Sequence, residues 1–131
     1  MISNVSQHLT ETAQALAALR TPDQVATVER IADALAKFQA APWCVWVIGN
    51  GGSQASAQHL ILHLREHNIR AFDLLADNAW LTARSNDWSY AEAAADTLDL
   101  IGHPGDCLVV ISGSGNSANV LAAVETAQSG D

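Results

Sequence analysis

Trp43-Cys44-Val45-Trp46-Val47-Ile48 running into Gly49-Asn50-Gly51-Gly52-Ser53, and Cys107-Leu108-Val109-Val110-Ile111 running into Ser112-Gly113-Ser114-Gly115-Asn116-Ser117, are the stretches that decide the fold. Each apolar run lacks a polar face, as expected of a parallel strand covered on both sides. Each loop leads directly into a helical pattern, from Gln54 to about His67 and from Ala118 to about Gln128. Between them, Ala71 to Leu75 reads as a further strand. It leads through Asp77-Asn78 into short helical turns and then Ser85-Asn86-Asp87. Alanine-rich Tyr90 to Leu100 forms another helix, closed by Gly102-His103-Pro104-Gly105-Asp106. Strands alternating with helices at this spacing predict an α/β fold, a doubly wound parallel sheet with right-handed crossovers. In the order 2-1-3 the third strand lies at an open edge. An apolar edge such as Leu108 to Ile111 calls for cover by further strands or by a partner.

Ahead of this unit, residues 1–40 read as two helices. Val5, Leu9, Leu16 and Leu19 form one apolar stripe; Val25, Val28, Ile31, Leu35 and Phe38 form the next. Thr21-Pro22-Asp23-Gln24 supplies a capping hydroxyl, a proline at the first helical position and a glutamine three residues after the cap. The amphipathic hairpin is expected to serve oligomerisation, in preference to acting as a lid on its own chain. Residues 41–131 form the second domain.

The whole chain has 131 residues, 49% of them hydrophobic and only 15% charged, which points to packed structure over disorder. Fourteen acidic against six basic side chains give a formal net charge of -8, with Lys37 the one lysine. That balance excludes the basic footprint of a nucleic-acid binder and disfavours an anionic membrane surface. The longest apolar run, Trp43 to Ile48, falls far short of the roughly 20 residues a membrane span needs. The N-terminus shows neither a basic region nor an apolar core of a signal peptide. Cys44 and Cys107 stand apart in apolar runs, with no metal or redox spacing, and are expected as reduced buried thiols. A cytoplasmic location follows as the expectation.

The two Gly/Ser/Asn loops carry the chemistry. Ligands of open α/β sheets bind outside the carboxyl ends of the strands, where strand order reverses. If the first and third strands are neighbours, both loops face one crevice. The loop from Ser112 to Ser117 offers three hydroxyls, glycines that admit close approach to backbone N–H groups, and the positive end of a helix dipole. With no lysine or arginine, that set suits a phosphate monoester held by neutral donors; the alternative is a pair of flexible turns. Gly49-Asn50-Gly51-Gly52-Ser53-Gln54 lacks the third glycine of a dinucleotide fingerprint, and no GxxxxGK[ST] exists. His59 and His63, at i and i+4, share a helix face with His67 one turn on. They either seat a transition metal such as zinc or lie on a half-exposed surface. Asp87 either meets sugar hydroxyls or caps the following turn. The four tryptophans are expected mostly in the core, with Trp88 a candidate to line a pocket.

Taken in order, Gly49-Asn50-Gly51-Gly52-Ser53 with Ala57-Gln58-His59, then Asn86-Asp87, Gly105-Asp106 and Ile111 to Leu121 resemble the SIS (sugar isomerase) domain. The branch most similar is that of the phosphoheptose isomerases, which convert sedoheptulose 7-phosphate to a heptose 7-phosphate aldose. The resemblance runs through the whole chain. It implies a flavodoxin-like sheet of five strands, usually in a homotetramer, here truncated to three strands. It implies that Ser112, Ser114 and Ser117 hold phosphate, that Asn50, Gly51, Ser53 and Asp87 meet the sugar, and that His59 is a zinc ligand. His63 stands where the family carries a glutamate that is both metal ligand and base, so His63 inherits the catalytic and metal roles. Ser56 replaces an aspartate, and Gly113 replaces a threonine of the phosphate loop. The family's last two strands, and the final helix that supplies a glutamine and a histidine, lie beyond the residues present. The expectation is a sugar-phosphate-binding homo-oligomer, dimer or tetramer, acting as a ketose–aldose isomerase. The alternative is a non-catalytic sensor or protein-interaction module.

Overall fold

The computed structural model describes residues 4–130. The chain divides after Ala36 into two units, a few residues ahead of the boundary expected at Ala41. The first unit holds α1 (Val5–Ala18) and α2 (Pro22–Ala36). Asn4 caps α1, its side-chain oxygen accepting from the Gln7 N–H at 3.2 Å, and Pro22 starts α2 where a missing N–H costs nothing. Neither helix contains a buried residue, and Leu9 and Leu16 are 63% and 61% exposed. The apolar stripe of the sequence is thus present as a helix face.

The second unit contains β1 (Val45–Gly49), α3 (Gly52–Glu66), β2 (Ala71–Asp73), α4 (Asn78–Asp87), α5 (Tyr90–Ile101), β3 (Cys107–Ile111) and α6 (Ala118–Ser129). All three strands are parallel, in the order β2-β1-β3 that the sequence implied. β1 is buried along its length, which is why its run has no polar face. Trp46 and Ile48 cluster with Leu74, Ala94, Leu98, Val120 and Ala123, so one face of β1 packs on α5 and α6. Alternation sends Val45 and Val47 to the other face, and α3, with Ala57, Ile61 and Leu64 buried, packs on β1. Alanines at the contacts let the helices approach closely, and burying each large β1 side chain contributes about 1.5–3 kcal/mol.

Several expectations need correction. The first strand begins at Val45, and Trp43 lies outside it, 46% exposed and packed over Gly105. Gly105 has φ of 97°, and a Cβ there would run into the indole, so both the turn and the tryptophan demand glycine. The second strand is shorter than expected, because Asp73 turns the chain by accepting from the Leu75 N–H at 2.8 Å. The short helical turns are one ten-residue helix, α4, capped by Asp77 on the Trp80 N–H at 2.9 Å. Only Trp46 of the four tryptophans is buried. Trp88 lies over the Arg84 guanidinium, 3.9 Å from ring centroid to cation, and Arg84 is ion-paired to Asp96, which pins α4 to α5.

Both cysteines are free thiols, Cys44 buried and Cys107 half-buried. Burial, and then the neighbouring Asp106 charge, push the Cys107 thiol above its ordinary value, which keeps it protonated and inert. β3 pairs with β1 on one side and with no other strand among the described residues, and all five of its residues are half-buried. No described helix is long and apolar enough to cross a membrane.

Candidate functional site

The parallel register between β1 and β3 builds the site. Val45 lies beside Cys107 and Gly49 beside Ile111, so the two strands end level and release their loops side by side. The first loop is short. Gly51 takes φ of 53°, and the Asn50 carbonyl accepts from the Ser53 N–H at 3.0 Å, so Asn50 and Gly51 turn the chain straight into α3. Gly49 has no room for a side chain, since a Cβ would lie 2.6 Å from the Ser53 carbonyl carbon. Gln54 reaches back, its Oε1 accepting from the Gly49 N–H at 2.9 Å, and ends the strand.

The second loop, Ser112 to Ser117, turns on its own hydroxyls. Ser112 Oγ accepts from the Gly115 N–H at 3.0 Å, and Ser114 Oγ accepts from the Asn116 N–H at 3.3 Å. Ser117 is the N-cap of α6 but makes no side-chain capping bond, leaving its hydroxyl available beside the unpaired N–H groups of the first turn. Gly113 and Gly115 are open, with nothing within 4 Å of a built Cβ. An anion seated here would meet hydroxyls and amide donors with no cation, which is a phosphate-binding chemistry.

The loops are tied together by a polar cluster. Asn119, 3% exposed on the first turn of α6, exchanges hydrogen bonds with Asn50 at 2.8 and 2.9 Å, and the Tyr90 hydroxyl of α5 donates to the same Asn50 oxygen at 2.7 Å. Sequence reading assigned no role to Asn119 or Tyr90. The signal was present: Asn119 lies one turn before Ala123 on the inner face of α6, where a polar residue needs a partner.

His59 and His63 project from α3 as one row, with Nε2 of each 3.1 Å apart and the rings edge to face. The outer nitrogen of His63, Nδ1, lies 2.9 Å from Glu66, an acceptor that sequence reading did not single out. Two Zn–N bonds of about 2.05 Å at a tetrahedral angle bring their nitrogens about 3.3 Å apart. The nitrogen spacing of the imidazole pair is close to that of two zinc ligands. Among the described residues no group of three or more His, Cys, Asp or Glu side chains surrounds such a point. Asp87 departs from the expected loop: it is the last residue of α4, exposed, accepting from the Asn86 side chain at 2.9 Å. It does not cap the next helix, because Ser89 does that, accepting from the Ala91 N–H at 3.0 Å.

At the opposite end of the strands, Asp106 accepts from the Cys44 N–H at 2.8 Å, the Trp46 indole at 2.8 Å and the His103 N–H at 3.1 Å. Burial alone would raise its carboxyl, but these donors and the His103 charge outweigh it and hold the group below its ordinary value. This clasp fixes β3 against β1 and thereby the level at which the two loops emerge.

Residues 7–131 match the SIS domain family. The chain is 36% identical over 117 residues to the phosphoheptose isomerase of Roseiflexus sp. (strain RS-1), covering 85% of this chain and 57% of that protein. It is 37% identical over 130 residues to the phosphoheptose isomerase of Paramagnetospirillum magneticum, covering 95% of this chain and 65% of that protein. Among solved structures, phosphoheptose isomerase GmhA from Neisseria gonorrhoeae superposes with a TM-score of 0.87 at 33% identity, over 97% of this chain and 68% of the other. A phosphoheptose isomerase from Francisella tularensis gives 0.84 at 28% identity, over 96% and 69%. The chain therefore spans a little under two thirds, or less, of the curated relatives it matches.

Proposed function

We propose, from the premise that this chain belongs to the SIS domain family, that its paired loops bind a sugar phosphate and that it acts as a ketose–aldose isomerase on sedoheptulose 7-phosphate. The observation that carries the reading is the juncture of the two loops. They leave adjacent strands at one level and are joined by the Asn50–Asn119 pair. The phosphate is assigned to Ser112, Ser114 and Ser117, and the sugar chain to Asn50, Gly51, Ser53 and Asp87. The phosphoheptose isomerase names of its relatives support that substrate class.

The reaction moves one proton between neighbouring carbons. A base removes a proton from C1 of the ketose, the C1–C2 enediolate forms, and return of a proton to C2, with the hydroxyl proton passing from O1 to O2, leaves the aldose. His63 is the proposed base: with Nδ1 facing Glu66, its Nε2 carries the lone pair that takes the proton. The same Nε2 is the atom that would join His59 Nε2 on zinc, so one lone pair serves one role at a time. Zinc would be held by His59, and by His63 only while His63 is not acting as the base, and it would supply a Lewis acid for the substrate oxygens. A second copy of this chain is the proposed partner of the apolar face on α1 and α2.

The test is incubation with sedoheptulose 7-phosphate in deuterated water, with and without zinc, followed by proton NMR. Aldose signals, or loss of the proton beside the carbonyl, support the isomerase. Line broadening without exchange means that the loops bind and the chemistry is lost, which moves the assignment to a sensor.

A further inference from the structure

Asn119 is the one buried polar side chain among the described residues, and its partners define which way the Asn50 carboxamide faces. The Tyr90 hydroxyl donates to Asn50 Oδ1 at 2.7 Å. The reciprocal pair, Asn119 Nδ2 to Asn50 Oδ1 at 2.9 Å and Asn50 Nδ2 to Asn119 Oδ1 at 2.8 Å, then fixes both amides. Both lone pairs of Asn50 Oδ1 are used, and so is one of its two Nδ2 protons. A carboxamide free to turn offers a ligand either a donor or an acceptor. This one has a single N–H left to offer.

We propose that Tyr90 and Asn119 are positioning residues that lock Asn50 as a one-way donor, so that the site prefers a ligand carrying an acceptor-only oxygen over the matching alcohol. A carbonyl oxygen, or the enediolate oxygen that develops from it, satisfies the lone N–H fully, and the bond strengthens as negative charge builds there. An alcohol brings its own proton, for which Asn50 has no acceptor left. The inference rests on the phosphosugar reading of the two loops and adds the group that discriminates oxidation state at the reacting carbon.

The experiment is calorimetric titration of the full chain with two ligands, sedoheptulose 7-phosphate and the heptitol 7-phosphates made by reducing its carbonyl. Tyr90→Phe keeps the ring and frees one lone pair of Asn50 Oδ1, so the carboxamide regains an acceptor. It is expected to weaken the ketose phosphate about 3- to 10-fold, the effect of one hydrogen bond, while the heptitols change by less than about 2-fold. Asn119→Ser is expected to erode the same preference further. A purely structural role would weaken both ligands equally, and an unchanged preference in folded Tyr90→Phe overturns the proposal. If the wild-type protein binds neither ligand, the phosphosugar reading has failed and this inference falls with it. If it binds both and the variant keeps the preference, only this inference fails.

Discussion

Replacing Asp106 with alanine removes the acceptor of three hydrogen bonds at the end of the sheet remote from the loops. Cys44 and Trp46, two of the donors, are 9% and 8% exposed, so water does not readily replace the carboxylate there. Leaving a buried donor unpaired costs about 1–3 kcal/mol, and a bond to a charged group contributes about 1.5–3 kcal/mol. Counting the two buried donors and neglecting exposed His103, the loss is about 3–5 kcal/mol, a large part of the roughly 5–15 kcal/mol that holds a domain folded. At roughly 3–5 °C per kcal/mol for this size, the melting midpoint should fall by about 10–20 °C, read by circular dichroism. The pH dependence supplies a second reading. The folded Asp106 carboxyl titrates below its ordinary 3.8, so its contribution is complete above that value and is lost as pH falls through it toward the folded value. The gap between wild type and Asp106→Ala should therefore hold above the ordinary value of 3.8 and narrow as pH falls below it. A midpoint drop under about 3 °C, or a gap that stays constant into acid, refutes the clasp as the device that sets the register.

Ser114→Ala combined with Ser117→Ala should weaken sedoheptulose 7-phosphate by a few kcal/mol, at about 1.5–3 per hydrogen bond to the charged group. The melting midpoint should move little, since the Ser117 side chain makes no capping bond and Ser114 gives up one exposed bond from the Asn116 N–H at 3.3 Å; unchanged affinity by calorimetry removes the loop from the phosphate site. Gly49→Ala forces a Cβ to 2.6 Å from the Ser53 backbone and should destabilise far more than Gly52→Ala, where nothing lies within 4 Å; equal melting midpoints would contradict the packing. Zinc bound by the wild-type protein, measured by competition with a chelator, should be lost in His59→Ala and in His63→Ala alike, because each removes half of the imidazole pair. Retention of metal in both variants would place it elsewhere. Leu9→Lys with Leu16→Lys, at positions 63% and 61% exposed, should lower the assembled mass seen by light scattering, and an unaltered mass would clear the hairpin of an assembly role.

Much of the fold was legible because it depends on short-range pattern. The unbroken apolarity of Val45 to Ile48 and Leu108 to Ile111 marks parallel strands, and the Gly/Ser loops that follow mark their carboxyl ends, where ligands of open α/β sheets bind. Element boundaries were less legible where a side chain decided them. Trp43 carries the same apolar signal as Trp46, yet the bond from the Cys44 N–H to Asp106, 62 residues away, is what anchors the strand's start. Asp87 looked like a loop residue because Ser85-Asn86-Asp87 is turn-rich. It ends a helix because Asp77 caps that helix and Arg84 ties it to α5.

The sequence alone determined the layer architecture, the parallel direction of the strands and the neutral, hydroxyl-rich character of the loop from Ser112 to Ser117, since periodicity and composition encode these locally. Which residues meet across the loops was decided by tertiary structure. Asn50 and Asn119 are 69 residues apart, and Tyr90 lies 40 residues from Asn50. Their hydrogen bonds depend on the level at which two strands end and on the packing of α5 against α6. Such bonds require angstrom placement of groups distant in the chain, and no local pattern of residues carries that distance.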